Sequence, residues 1–209
     1  MKKLIFEGAN WEFPFMVRVP DQMKENLPII FQLHGAGERG NGGDDLWKVE
    51  VHGLSKVMTE DKNYGCILVE PQCKENSFWV AHIQEINAFI DNVCDYFQAD
   101  LTRVYLTGLS MGGFGTWYTA MAFPKKFAAI VPVCGGGMPW NAGVLTMPVW
   151  AFHGMEDDLV LPSNTIDMVN ALKKAGRDVK MSLFEDVGHG VWENAYSEEL
   201  INWMLNNSL

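Results

Sequence analysis

The sequence predicts an α/β fold, a mostly parallel central sheet with helices on both faces. Three observations predict it. Apolar, β-branched runs alternate with amphipathic stretches along the 209 residues, the order that βαβ units produce. Four of those runs, "LPIIFQLHG", "YGCILVEPQ", "FAAIVPVCGG" and "MPVWAFHG", lack the polar alternation of a half-exposed strand and read as strands buried on both faces. A composition of 48% hydrophobic and 20% charged residues suits one compact domain, 1–209, with a sizeable core.

Taken in order, "LIFEG" and "FPFMVRVP" read as an antiparallel entry hairpin. The first buried strand, "LPIIFQLHG", follows, and then "DDLWKVEVHGLSKVM", which is weakly helical. After the strand "YGCILVEPQ", the stretch "FWVAHIQEINAFIDNVCDYF" carries apolar residues at helical spacing and predicts an amphipathic helix. Val104 to Thr107 form a strand that breaks at Gly108, and a helix follows at once, ending near Pro124. Two more buried strands flank a glycine-rich segment. "LPSNTIDMVNALKKAG" then has a Pro-Ser-Asn start and a glycine stop. "DVKMSLFED" alternates as a strand, and "ENAYSEELINWMLNN" closes the chain as one helix.

A net charge of −10 argues against nucleic acid or an anionic membrane as partner. Cys66, Cys73, Cys94 and Cys134 are scattered without a C-x-x-C and read as buried thiols, so the sequence predicts no disulfide framework and a cytoplasmic location. "MKKLIFEGANWEF" has no apolar h-region, which predicts neither a signal peptide nor a membrane span.

In parallel sheets ligands gather outside the carboxyl ends of the strands. The loops there are "HGAGERGNGG", "EPQCKENSFW", "GLSMGG", "CGGGMPW", "HGMEDDLV" and "EDVGHGVW". Gly108 to Gly112 match G-x-S-x-G, which seven serines and 20 glycines supply by chance only about 0.06 times per chain of this composition. The context adds more: a strand leads in and a helix leads out, as a nucleophile elbow requires. A phosphate-binding loop is excluded, since no Gly-Lys-Ser/Thr follows and the glycines do not space as G-x-G-x-x-G.

A serine hydroxyl needs a base. His189 follows the last strand, in the order Ser, acid, His. The acid lies after "MPVWAF", where Glu156, Asp157 and Asp158 share one turn and periodicity does not choose among them. An oxyanion hole needs two N–H groups aimed at one point. Met111, next after the serine, supplies one, and the His34-Gly35-Ala36-Gly37 loop supplies the other. His34 and His153 each precede a glycine at a strand end and read as structural hydrogen-bonders. His52 and His82 have no partner pattern. No two histidines stand at metal-ligand spacing, so no metal and no other cofactor is expected. Trp79, Trp140 and Trp192 fall in these loops and are the candidate substrate-binding residues.

With these residues placed, the sequence resembles the α/β-hydrolase superfamily, specifically its small carboxylesterase/phospholipase-type branch with prolyl-oligopeptidase-like members. The matching pieces are "LHGAGERG", "VEPQC" with Trp79 following, "GLSMGGFGTW", "HGMEDDLV" and "DVGHGVW". The resemblance implies an α/β-hydrolase fold with Ser110 as nucleophile, His189 as base, and Ala36 and Met111 as oxyanion donors. In the related H-G-x-x-D-x-x-V pattern the aspartate falls at Asp157. Asp158 departs from the pattern, standing where relatives often have proline. Gly135 to Met147 is too short for the cap helices of lipases, and Ser110 argues against the cysteine chemistry of dienelactone hydrolases. The implied activity is hydrolysis of short-chain or aryl esters, sugar-linked acyl groups among them. A serine peptidase and a non-catalytic binding module are the rival readings. A small-molecule ester is the expected partner, and monomer and homodimer both stay open.

Overall fold

The computed structural model describes residues 1–209 and holds one sheet of eight strands. These are β1 (Lys2–Phe6), β2 (Phe15–Val19), β3 (Ile29–Leu33), β4 (Ile67–Pro71), β5 (Val104–Leu109), β6 (Ala129–Val133), β7 (Val149–Gly154) and β8 (Val179–Phe184). Five helices accompany them: α1 (Ile83–Phe97), α2 (Met111–Ala122), α3 (Ser163–Lys174), α4 (Trp192–Ala195) and α5 (Glu198–Leu205). The strand order is β1-β2-β4-β3-β5-β6-β7-β8, antiparallel at β1–β2 and β2–β4 and parallel from there on. The entry hairpin pairs Lys2 with Val19 and Phe6 with Phe15. This is the α/β-hydrolase fold that the sequence predicts.

The two-residue period of the strands divides the apolar side chains between two cores. Ile29, Phe31, Val69, Leu106 and Ala151 face one, where Phe89 of α1, Trp117 of α2 and Met168 of α3 pack on them. Ile30, Leu68, Tyr105, Trp150 and Phe152 face the other, under Ile201 and Met204 of α5 and under Leu54 and Met58. Both faces are covered, which is why the central strands read as unbroken apolar runs.

Strand order reverses at β3: the chain moves from β3 to β4 on one side and then returns to β5 on the other. Such a switch point opens a crevice beyond the strand ends. Here it lies between the loop after β3 and the turn after β5.

Three expectations need correction. "DDLWKVEVHGLSKVM" falls in two 3₁₀ turns, Gly43–Glu50 and Gly53–Lys56, each opening on a glycine at positive φ (57° at Gly43, just before the stretch, and 87° at Gly53 within it). The α1 helix starts at Ile83 rather than Phe78, after a short 3₁₀ turn at Trp79–Ala81. The C-terminal helix is two helices. Tyr196 is extended (φ −80°, ψ 113°), and the Ser197 side chain caps a new start by accepting from Leu200 N–H at 3.2 Å. Between β6 and β7 stands only the 3₁₀ turn Pro139–Val144. All four cysteines are free and buried, and no helix is long and apolar enough to cross a membrane.

Candidate active site

Ser110 is the single residue between β5 and α2. Its backbone sits at φ 53°, ψ −117°, a region that costs an L-residue about 1–3 kcal/mol. Its N–H donates to Val133 O at 2.9 Å, and its carbonyl accepts from Phe114 N–H at 3.1 Å. The flanking glycines are obligatory. A Cβ on Gly108 would lie 2.3 Å from Gly112 O, and one on Gly112 only 1.9 Å from Leu33 O. Gly113 and Gly115 serve packing, since a Cβ there would meet Val133 O at 2.4 Å and Trp79 Cβ at 2.7 Å.

His189, from the loop after β8, brings Nε2 to 2.8 Å from Ser110 Oγ and Nδ1 to 2.7 Å from Asp157 Oδ2. Asp157, from the loop after β7, is 3% exposed, and its Oδ1 accepts from Leu159 N–H at 3.0 Å and Val160 N–H at 2.9 Å. Burial works against its charge, but the Val160 N–H, His189 and the Leu159 N–H outweigh it and hold the carboxyl below its ordinary range. Glu156 and Asp158 are exposed. One acid of the three is therefore built into the structure, tied at one oxygen to the backbone and at the other to the imidazole.

The loop after β3 is fixed from several sides. Cys73 N–H donates to His34 Nε2 at 2.9 Å, so Nδ1 carries the proton and donates to Gly35 O at 2.5 Å. Burial lowers the His34 pKa to about 4, which keeps the ring neutral. Trp79 Nε1–H donates to His34 O at 3.0 Å, and Arg39 Nε–H to Ala36 O at 2.8 Å. Ala36 opens a 3₁₀ turn and Met111 opens α2, positions whose N–H groups have no acceptor within their own helix. Ala36 and Ser110 line the same hollow, and Ser110 and Met111 line the adjoining groove.

Of the three tryptophans, only Trp192 lines the crevice. Trp79 is fully buried, its indole spent on His34 O and on packing against Phe13. It shapes the loop without reaching a substrate. Trp140 is 82% exposed on the Pro139–Val144 turn. The groove instead takes its apolar wall from Phe78, Val80, Phe114 and Tyr118, with a volume of about 510 Å³. The spacing of Ser110, Phe114 and Tyr118 at i, i+4 and i+8 carries that signal in the sequence, since such residues share one face of a helix.

Cys134 Sγ, Asp157 and His189 offer ligand atoms within 4.8 Å of one another. They suit a metal poorly. His189 Nδ1 and Asp157 are already bonded to each other, and burial pushes the Cys134 thiol up to about 12, so it stays protonated.

The model of the prolyl oligopeptidase family matches residues 139–206. A bifunctional acetylxylan esterase/xylanase of Neocallimastix patriciarum is 28% identical over 149 residues, 69% of this chain and 21% of that protein. A poly(3-hydroxyalkanoate) depolymerase of Paucimonas lemoignei is 29% identical over 131 residues, 56% of this chain and 30% of that protein. The crystal structure of a thermostable esterase superposes with a TM-score of 0.86 at 28% identity, covering 100% of this chain and 63% of that one. The chain thus spans less than a third of the two curated relatives named. A strained serine between glycines that admit no side chain, at the switch point of a sheet shared end to end with an esterase, gives this chain the α/β-hydrolase fold and a likeness to ester-hydrolysing serine hydrolases.

Proposed function

We propose that the protein is a serine carboxylesterase acting on short-chain or aryl esters through a Ser110–His189–Asp157 triad and an acyl-enzyme. The observation that carries this reading is the unbroken line of hydrogen bonds from Asp157 Oδ2 through both nitrogens of His189 to Ser110 Oγ. Nothing in folding alone calls for a strained serine aimed at an imidazole.

In the first half-reaction Ser110 Oγ attacks the ester carbonyl and its proton passes to His189 Nε2. Asp157 accepts from Nδ1–H, fixes the tautomer and stabilises the imidazolium. The Ala36 and Met111 N–H groups meet the oxyanion, each worth about 10²–10³ in rate. His189 then protonates the leaving alcohol, and water repeats the sequence on the acyl-enzyme. The apolar groove of Phe78, Val80, Phe114 and Tyr118 suits a short alkyl or an aryl acyl group.

The prolyl oligopeptidase match over residues 139–206 favours a second reading, cleavage of a peptide amide by the same residues. A fluorophosphonate probe and two substrates decide. The wild type is expected to be labelled, Ser110→Ala is not, and p-nitrophenyl acetate is expected to turn over far faster than an aminoacyl p-nitroanilide. Failure to label the folded wild type overturns the enzyme reading, and a preference for the anilide replaces esterase by peptidase.

A further inference from the structure

The space around Ser110 has two halves of unlike chemistry. One is the apolar groove already described. The other is a hollow of about 330 Å³ between the loop after β3 and His189, with Glu38, His52 and Trp192 in its wall. The path of the proton assigns them. In acylation the Ser110 Oγ–acyl bond forms, the acyl–alcohol bond breaks, and the proton taken from Oγ goes through His189 Nε2 to the departing oxygen. His189 lines the hollow and not the groove. The alcohol therefore occupies the hollow, and the acyl group the groove.

Two polar side chains of the hollow's wall, Glu38 and His52, approach each other without bonding. Glu38 is only 9% exposed, yet its buried Oε2 has no hydrogen-bond partner. Its Oε1 stands 3.9 Å from His52 Nε2, too far for a direct bond. His52 Nδ1 is also buried without a hydrogen-bond partner, 3.7 Å from Glu193 Oε1. Those two atoms are closed to a ligand; the pair that faces across the gap is Glu38 Oε1 and His52 Nε2. A gap of 3.9 Å between a ring nitrogen and a carboxylate oxygen is one that a single oxygen spans with two ordinary bonds. That oxygen must accept from His52 Nε2–H and donate to Glu38, which a hydroxyl does and an ether or a carbonyl does not. The Trp192 ring, 5.1 Å from His52 and 5.4 Å from His189, sets a flat apolar wall beside the pair.

We infer that Glu38, His52 and Trp192 form a leaving-group subsite for a polyhydroxylated ring: a pyranoside whose ester oxygen faces His189 and whose neighbouring hydroxyl bridges Glu38 and His52. The inference rests on the serine-esterase reading and deepens it. It assigns specificity to the alcohol, so it acts on acylation and leaves the acyl-enzyme untouched.

The test holds the acyl group constant. A mono-O-acetylated methyl pyranoside and cyclohexyl acetate yield the same acetyl-enzyme and release rings of equal size, and only one of those rings carries hydroxyls. The wild type is expected to show kcat/KM at least about tenfold higher on the pyranoside, and Glu38→Leu and His52→Phe are each expected to reduce that ratio about tenfold, one hydrogen bond's worth. Trp192→Ala is expected to raise KM for the pyranoside. Equal kcat/KM on the two acetates, or a ratio unmoved in Glu38→Leu, which has no acceptor, overturns the subsite while leaving the esterase standing. Failure to turn over either acetate, with no fluorophosphonate labelling, removes the esterase reading and the subsite with it.

Discussion

His153 Nε2 lies 3.2 Å from Asp157 Oδ2, the same oxygen that accepts from His189 Nδ1. His153 is fully buried. Its other nitrogen meets Thr165 Oγ1 at 2.7 Å, and Nε2 also points at Val160 O, 2.8 Å away. With acceptors around Nε2, the proton sits there and is shared between Val160 O and Asp157. Burial lowers the pKa of His153, while Val160 O and Asp157 pull it back only in part, so the ring acts as a neutral donor. One histidine at the end of β7 therefore steadies both the acid and the turn that wraps it.

His153→Phe keeps a ring of similar bulk and removes that donor. The expected result is a fall in kcat on the order of tenfold, the worth of one hydrogen bond to a charged group, with KM little changed. His153→Gln, which can still donate, is expected to recover part of the loss. If both variants match the wild type, Asp157 Oδ2 needs no donor beyond His189.

Asp157→Asn should lower kcat by about 10³–10⁴, because the Leu159 and Val160 N–H groups keep the amide oxygen at the Oδ1 position, so its NH2 faces Nδ1 as a donor and leaves the imidazole in the wrong tautomer. Asp158→Asn changes an exposed carboxylate and is expected to stay within about twofold. Equal losses in acylation rate would show that the acid has been placed at the wrong residue.

How far the sequence already shows these relationships depends on how local each cause is. The Ser110 turn is legible because its requirement for glycine is set by neighbours within four residues and by one passing strand. His189 is legible through chain order. Periodicity does not separate Asp157 from Glu156 and Asp158, and only the H-G-x-x-D-x-x-V resemblance picks it out, since what selects it is a backbone turn that points two N–H groups at one oxygen. Trp79 illustrates the opposite failure. It stands in a loop at the right end of the sheet, yet its indole turns inward to a carbonyl 45 residues away. The break before α5 has a local signal, Ser197 followed by Glu198 and Glu199, which the helical periodicity on both sides obscures.

Glu70 is fully buried on β4, accepting from Gln32 Nε2 at 2.9 Å and from the Ser55 hydroxyl, and its Oε2 has no partner. Burial raises its pKa from 4.5 to about 7, against the pull of Arg18. A raised folded pKa gives stability that is fully present below 4.5 and is lost as pH rises through about 7. The loss amounts to on the order of 3 kcal/mol. Glu70→Gln keeps the accepting oxygen and cannot charge. Its urea midpoint is expected to exceed the wild type's at pH 8.5 and to approach it at pH 5. Parallel pH profiles for the two proteins would rule this out.

The strain at Ser110 gives a prediction about stability rather than rate. Ser110→Ala and Ser110→Gly both remove the hydroxyl and its bond to His189, and both are expected to lack esterase activity. They differ in backbone freedom. Alanine is held at φ 53°, ψ −117° as serine is, whereas glycine takes that conformation without steric cost. Relief of about 1–3 kcal/mol of strain is offset by the roughly 0.5–1 kcal/mol that glycine's unfolded-state entropy costs. The glycine variant should therefore be more stable than the alanine variant by about 1 kcal/mol. Denaturant unfolding of the two inactive proteins measures the difference directly. An alanine variant as stable as the glycine one would mean that the turn carries no strain and that the serine's conformation costs the fold nothing.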